Sequence, residues 1–193
     1  MPKIRFPLCT IALVLLFAFA PAIHAGRVGT EDFRGRSRFF AVNIGFLGKG
    51  ELRTKDEHSL TQPGFTFGIK FDFRIKQKWY WGISTDVHRI HVQDTGQYFL
   101  DAGLHLKKML YNESSTVALR PGIGLGFGHL MNFRKVGTST YLTTRATLEL
   151  LVFGEGSAAW FLEVGLLGAP VGGNSSTSMT FGPVALARIG AIF

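Results

Sequence analysis

The 193-residue chain has a single cysteine, Cys9, and it lies within the N-terminal leader region. The rest is free of thiols, which excludes a disulfide framework and thiol chemistry. After residue 25, no stretch stays apolar for the ~20 residues that a membrane-spanning helix needs. Acidic residues are few, 13 against 21 Lys and Arg, giving a formal charge of +8 at pH 7. A basic balance raises nucleic acid as a partner. Here the basic residues are scattered and alternate with aromatics, so no nucleic-acid patch is expected. Low-complexity stretches and linkers are missing too, which points to one domain.

The first segment reads as an export signal. Lys3 and Arg5 open it, Ile11 to Ala20 is an unbroken apolar run, and Pro21 ends that run. Cleavage after Ala25 or Ala22 fits the small-residue rule. The run is about half of what a spanning helix requires, so an anchor is not expected. Cys9, in Phe-Pro-Leu-Cys, comes too early for a lipoprotein cysteine. Removing residues 1–25 leaves 168 residues; the leader carries Lys3 and Arg5 but no acid, so the charge falls from +8 to +6. Residues 26–36 read as a short polar lead-in and 37–193 as the folded domain.

What is present is alternation. Residues 65–75, Phe-Thr-Phe-Gly-Ile-Lys-Phe-Asp-Phe-Arg-Ile, are apolar at every odd position and small, polar or charged at every even one. In a strand this makes one apolar face and one ionic face. Seven further segments follow the same rule: 38–47, 79–90, 98–110, 116–128, 141–153, 158–169 and 179–193. The connections alternate in length. Residues 48–63, 91–97, 129–140 and 170–178 form a longer set; 76–78, 111–115 and 154–157 read as tight turns. Long external loops, short periplasmic turns and an even strand number describe a transmembrane barrel with both ends on the periplasmic side.

The chain ends on Phe193, preceded by Ala185, Ala187, Ile189 and Ala191 at every second position. This ending resembles the C-terminal signature of bacterial outer-membrane proteins that the barrel-insertion machinery reads. With the eight-segment layout, the chain resembles the small OmpA/OmpX-like outer-membrane barrels over essentially its whole length after residue 25. The resemblance is architectural. It implies an all-β, eight-stranded antiparallel up-and-down barrel in the outer membrane of a Gram-negative bacterium, with outer-membrane lipid and lipopolysaccharide as its surroundings.

A secreted lipocalin-type barrel has the same alternation with the apolar face inside. Three features favour the membrane form. The polar face carries Gly68, Gly82, Gly103, Gly122, Gly124, Gly126 and Gly165, which suit a tight interior. The early Gly-x-Trp of lipocalins is absent, the first tryptophan being Trp79. Aromatics gather near segment ends and are expected to form two girdles: Trp79, Trp81, Phe153, Trp160 and Phe193 on the periplasmic side, and Phe46, Phe65, Phe99, Phe127, Tyr141 and Phe181 on the outer side.

Charge facing mid-bilayer lipid costs roughly 2–4 kcal/mol, so the ionic face must point inward. The expected interior set is Lys70, Asp72, Arg74, Asp86, His88, Asp101, His105, Lys107, Arg120, Arg145, Glu149, Glu163 and Arg188. Such groups persist inside when paired and hydrogen-bonded. Lys108 falls on the outward face near a strand end, where its stem can snorkel.

The function expected is structural or surface-interacting, with a lumen closed by ion pairs. The alternatives are a narrow channel or small-ligand conduit, and a lipid A-modifying enzyme. An eight-stranded barrel is only just wide enough for its own side chains, which disfavours free diffusion. Ser84, Asp86 and His88 share one face, but Ser84 and His88 stand about 13 Å apart along a strand. A register pairing His88 with Asp101 and Ser84 with His105 permits a Ser–His contact, facing the lumen and away from lipid. The His-x-Ser-Asn-type motif of lipid A deacylase barrels is not found. No catalytic residue, cofactor or metal is expected: His88 and His91 point to opposite faces, and His58 and His129 have no clustered partners. The Gly122–Gly128 run alternates strictly and lacks the dinucleotide spacing. Asn112-Glu113-Ser114 and Asn174-Ser175-Ser176 match a glycosylation pattern without meaning in this compartment. The charged loop with Lys49, Glu51, Arg53, Lys55, Asp56, Glu57 and His58 reads as solvated. Its alternatives are lipopolysaccharide phosphates or an external protein as partner. Arg134 and Lys135, beside Met131 and Phe133, sit where lipopolysaccharide headgroups are expected.

Overall fold

The computed structural model describes residues 36–55, 58–76, 78–92, 95–110, 116–133, 137–153, 158–175 and 177–193. The leader at 1–25, the lead-in up to residue 35, Asp56, Glu57, Arg134, Lys135 and the 111–115 and 154–157 turns lie outside the described residues.

Nine antiparallel strands form the fold: β1 (Arg38–Leu47), β2 (Gly50–Thr54), β3 (His58–Lys76), β4 (Trp79–Val92), β5 (Thr95–Lys108), β6 (Val117–Phe133), β7 (Gly137–Phe153), β8 (Ala159–Gly173) and β9 (Met179–Ile192). They make a ring of eight staves. β1 and β2 both pair with β3 and with β9, so they are one stave interrupted at Gly48 and Lys49. All other neighbours are consecutive in sequence. The seam runs from Ala41 opposite Ile192 to Leu47 opposite Leu186. Phe193 extends it: its N–H donates to Phe40 O at 2.8 Å, and Phe40 N–H donates to Phe193 O at 3.2 Å. A closed ring leaves no sheet edge to be satisfied.

Closure places the start of β1, the end of β9, the end of β3 and the start of β4 at one end, here the terminus end. The β2–β3, β4–β5, β6–β7 and β8–β9 hairpins project at the other, the far end. The long connections read from the sequence are mostly strand. Residues 48–63 contain β2 and the start of β3. The β4–β5 ladder reaches Val92 opposite Thr95, and the β6–β7 ladder reaches Phe133 opposite Gly137. Polar composition signalled solvent at these hairpins, but pairing continues because extending a ladder satisfies further backbone N–H and C=O groups.

The alternation decides which face goes where. Outward stand Ile44, Phe67, Ile83, Leu104, Leu125, Leu148, Val164 and Ile189, all exposed. Leu125 is 62% and Phe127 68% exposed. Inward stand the charges. A soluble barrel has the reverse arrangement. Register shifts interrupt the alternation at a few places, and the one in β9 changes an expected girdle position. Leu167 pairs with Val184, whereas Ala169 pairs with Phe181, so β9 carries an extra residue. This bulge contains Gly182 at φ +82°, a backbone region that glycine tolerates best.

Candidate functional site

The lumen is filled in three layers, and the middle one is ionic. Five carboxylates (Asp72, Asp86, Asp101, Glu149, Glu163) meet five cations (Lys70, Lys107, Arg120, Arg145, Arg188). Every carboxylate in this layer is buried. Each cation comes from a strand position whose neighbours at i ± 1 face the outer wall, so the pleat alone aims it inward.

The layer has two lobes. In the lobe nearer the terminus end, Glu149 Oε1 accepts from Lys70 Nζ at 3.0 Å and from Lys107 Nζ at 2.8 Å. Its Oε2 accepts from Arg120 Nε at 2.6 Å. Arg120 also reaches Asp72 Oδ2, at 2.7 Å, and Asp72 meets His105 Nε2 through its other oxygen. In the lobe nearer the far end, Arg145 Nη1 donates to Asp86 Oδ2 at 2.7 Å and to Ser84 Oγ at 3.2 Å, while Nη2 reaches Asp101. Thr143 Oγ1 donates to Asp101 Oδ1 at 2.8 Å. Arg188 Nη1 donates to Asp86 Oδ1 at 2.6 Å. Glu163 joins the lobes, since it accepts from both Lys70 and Arg188. Buried charges survive where each has an opposite partner and directed hydrogen bonds, and this layer supplies both.

An apolar cluster covers each side of the ionic layer. At the far end it includes Leu47, Leu52, Ile90, Val92, Phe99, Leu130, Tyr141, Met179, Phe181 and Leu186. At the terminus end it includes Phe39, Tyr80, Met109, Leu151, Phe153 and Phe161. Lys70 Nζ stands 4.9 Å from the Phe161 ring centroid, so the lower cluster also meets the charges through a cation–π contact.

These clusters correct four of the expected girdle positions. Phe99, Tyr141, Phe153 and Phe181 are buried inside the barrel, not exposed to lipid. Phe99, Tyr141 and Phe153 have the same parity as the inward charges on their strands. Phe181 is turned inward by the bulge at Gly182. Phe46, Phe65, Trp79, Trp81, Phe127 and Trp160 are exposed on the outer wall, and Phe193 is half-buried at the seam. The inward apolar ends were visible as Ile90, Val92 and Leu186, which continue the ionic face's parity on β4 and β9 beyond its last charge.

Of the remaining interior positions, His88 is buried, stacks on Phe99 at 5.7 Å and stands 4.0 Å from Asp101. Arg74 is half-buried at the terminus end, 5.9 Å from the Tyr80 ring centroid. The glycines leave room for these groups. A Cβ at Gly124 would meet Arg145 Cγ at 2.8 Å, and one at Gly128 would meet Phe99 Cζ at 2.1 Å.

The arrangement offers little for chemistry. Asp86 pairs with Asp101, Ser84 with Gly103 and Gly82 with His105, a register two residues from the one that would join Ser84 to His105. Ser84 instead accepts from Arg145, and His105 faces Asp72. Asp86, His88 and Asp101 bring ligand atoms within 4.8 Å of one another. Arg145 and Arg188 already hold the two carboxylates there, so a divalent cation would enter beside two guanidinium groups. The void next to Lys70, His105 and Arg188 is about 10 Å³, room for about one water.

At the far end, a surface groove of about 670 Å³ is lined by Lys49, Glu51, Arg53, Leu60, Thr180 and Pro183. Its charges are largely engaged with each other. Arg53 Nη2 donates to Glu51 Oε2 at 2.5 Å, and His58 Nε2 lies 3.2 Å from the same oxygen. The Arg53 hydrogen bond, then that of His58, holds the Glu51 carboxyl below its usual range. A depressed folded value means the interaction is present at neutral pH and is lost as pH falls through that value. Arg53→Gln is therefore expected to raise the Glu51 titration midpoint toward the ordinary carboxylate value, read by carboxyl ¹³C NMR in micelles.

Ring closure, outward apolar staves and an ionic lumen define the class: the chain has the fold of the small eight-stranded outer-membrane β-barrels, as the sequence resemblance implied. Solved structures with this fold include Neisserial surface protein A, at 10% identity and a TM-score of 0.54 over 81% of this chain and 97% of that one. Another is the outer membrane protein OprG from Pseudomonas aeruginosa, at 12% identity and a TM-score of 0.55 over 83% and 98%. No protein-family model and no curated protein matches the sequence.

Proposed function

We propose that this chain is an integral outer-membrane protein with a sealed lumen, serving as a structural or surface-interacting barrel and not as a channel or an enzyme. The observation that carries the reading is the three-layer interior, an ion-pair layer between two apolar clusters. Ions crossing it would have to displace paired charges and then pass packed aromatics. The likeness to outer-membrane barrels supports the location. The N-terminal leader, with Lys3, Arg5 and a small-residue cleavage site at Ala25 or Ala22, supports export. Phe193 is the proposed handle for the insertion machinery, and outer-membrane lipid and lipopolysaccharide are the proposed partners of the outer wall.

Planar-bilayer recording tests the sealed lumen. The purified protein is expected to give no conductance above background, and reproducible unitary steps would overturn the reading. Insertion is checked separately by migration on gels before and after boiling. The folded barrel is expected to run apart from the boiled chain.

A further inference from the structure

The outer wall carries a second basic feature, at the terminus end, that the sealed-lumen reading does not use. The end of β3, the start of β4 and the last residue of β5 frame a recess of about 470 Å³ lined by Lys76, Lys78, Trp79 and Lys108. Its size lies within the roughly 300–1,000 Å³ usual for small-ligand recesses. All four residues are exposed on the outer wall. Trp79 pairs across the ladders with Lys76 on one side and Lys108 on the other. Lys108 Nζ stands over the Trp79 ring, 5.4 Å from its centroid. Immediately toward mid-barrel the wall turns apolar, with Trp81, Phe71, Ile83 and Leu106 exposed. Three ammonium groups thus border the edge of a lipid-facing belt, around a ring that favours the headgroup level.

We infer that this recess is a binding site for the phosphodiester headgroup of an anionic phospholipid in the leaflet at the terminus end. The lysines supply the charge for the phosphate. Trp79 supplies a flat apolar floor under the glycerol backbone, and the belt receives the acyl chains. At an anionic membrane surface each ammonium strengthens association about five-fold. Held together, three are expected to enrich the anionic lipid at least that much over a zwitterionic lipid. The inference rests on the membrane reading above.

The chain's three tryptophans give the test. Trp160 lies at the same end but on β8, four staves away from β4, and is a built-in control. Two single-reporter proteins, W81F/W160F and W79F/W81F, are folded into phosphatidylcholine vesicles. The vesicles contain a small equal fraction of brominated phosphatidylglycerol or brominated phosphatidylcholine. Trp79 is expected to be quenched more by the brominated phosphatidylglycerol, and Trp160 almost equally by both. K76Q/K78Q/K108Q, or K108Q alone if the triple variant does not fold, should move the Trp79 ratio toward that of Trp160. Equal ratios at the two reporters in the lysine-intact proteins overturn the site while leaving the membrane reading intact. Absence of quenching by either lipid at either reporter overturns both.

Discussion

Glu149→Ala is expected to cost about 3–5 kcal/mol of barrel stability, the range for removing one partner from a buried ion cluster. Glu149 is fully buried and its carboxylate receives Lys70, Lys107 and Arg120 together. Without it, Lys107 and Arg120 share Asp72, and Lys70 keeps only Glu163. Urea titration of the protein folded in lipid vesicles, followed by tryptophan fluorescence, measures the loss. Glu149→Gln keeps the shape without the charge and is expected to lose nearly as much. Adding Lys107→Met to Glu149→Met restores equal numbers of charges, and most of the loss is expected to return. The double-mutant cycle isolates the pair. A cost below about 1 kcal/mol for Glu149→Ala, the value of a solvated pair, would mean that water reaches the layer.

Leu125→Arg is the second large effect, and its sign distinguishes a bilayer from water. Leu125 is exposed at the middle of β6, between Leu104 and Thr144 on the neighbouring staves. In a bilayer the new charge is expected to cost roughly 2–4 kcal/mol, falling to about 0–1 near the interface. Leu60→Arg provides the interface comparison, because Leu60 is exposed on the far-end extension of β3, beyond Phe65. In water both substitutions would be near neutral. The same urea titration reads both, and equal small costs would contradict a lipid-facing belt.

The ring and its facing were legible because alternation is a local signal. Lys70, Asp72 and Phe71 in one strand already separate the two faces, and each stave repeats the lesson. Partner choice inside the lumen was not legible. Ser84 meets Gly103 instead of His105 because a two-residue shift of register preserves every facing and leaves the hydrophobic pattern unchanged. Phe99 and Tyr141 were assigned to the girdle because an aromatic near a strand end satisfies either a membrane interface or a packed lumen. Only their parity with Asp101 and Thr143 separates the two. Phe181 could not be assigned by parity, since the bulge that turns it inward depends on how β9 meets β8. The far-end hairpins read as loops because charged and small residues there interrupt the alternation, although strand pairing continues.

The way Glu163 and Asp86 are shared has a kinetic consequence. Lys70 and Glu163 are 93 residues apart, and Asp86 and Arg188 are 102 apart. Contacts of such separation are slow to form, because the loop-closure entropy is lost before the contact is gained. Until β9 is in place, Asp86 has Arg145 but lacks Arg188, and Glu163 lacks Arg188 too. The last strand therefore completes the hydrogen-bonded ring and the neutralisation of the lumen in one event. Folding is expected to be slow, as contacts of high sequence separation make it.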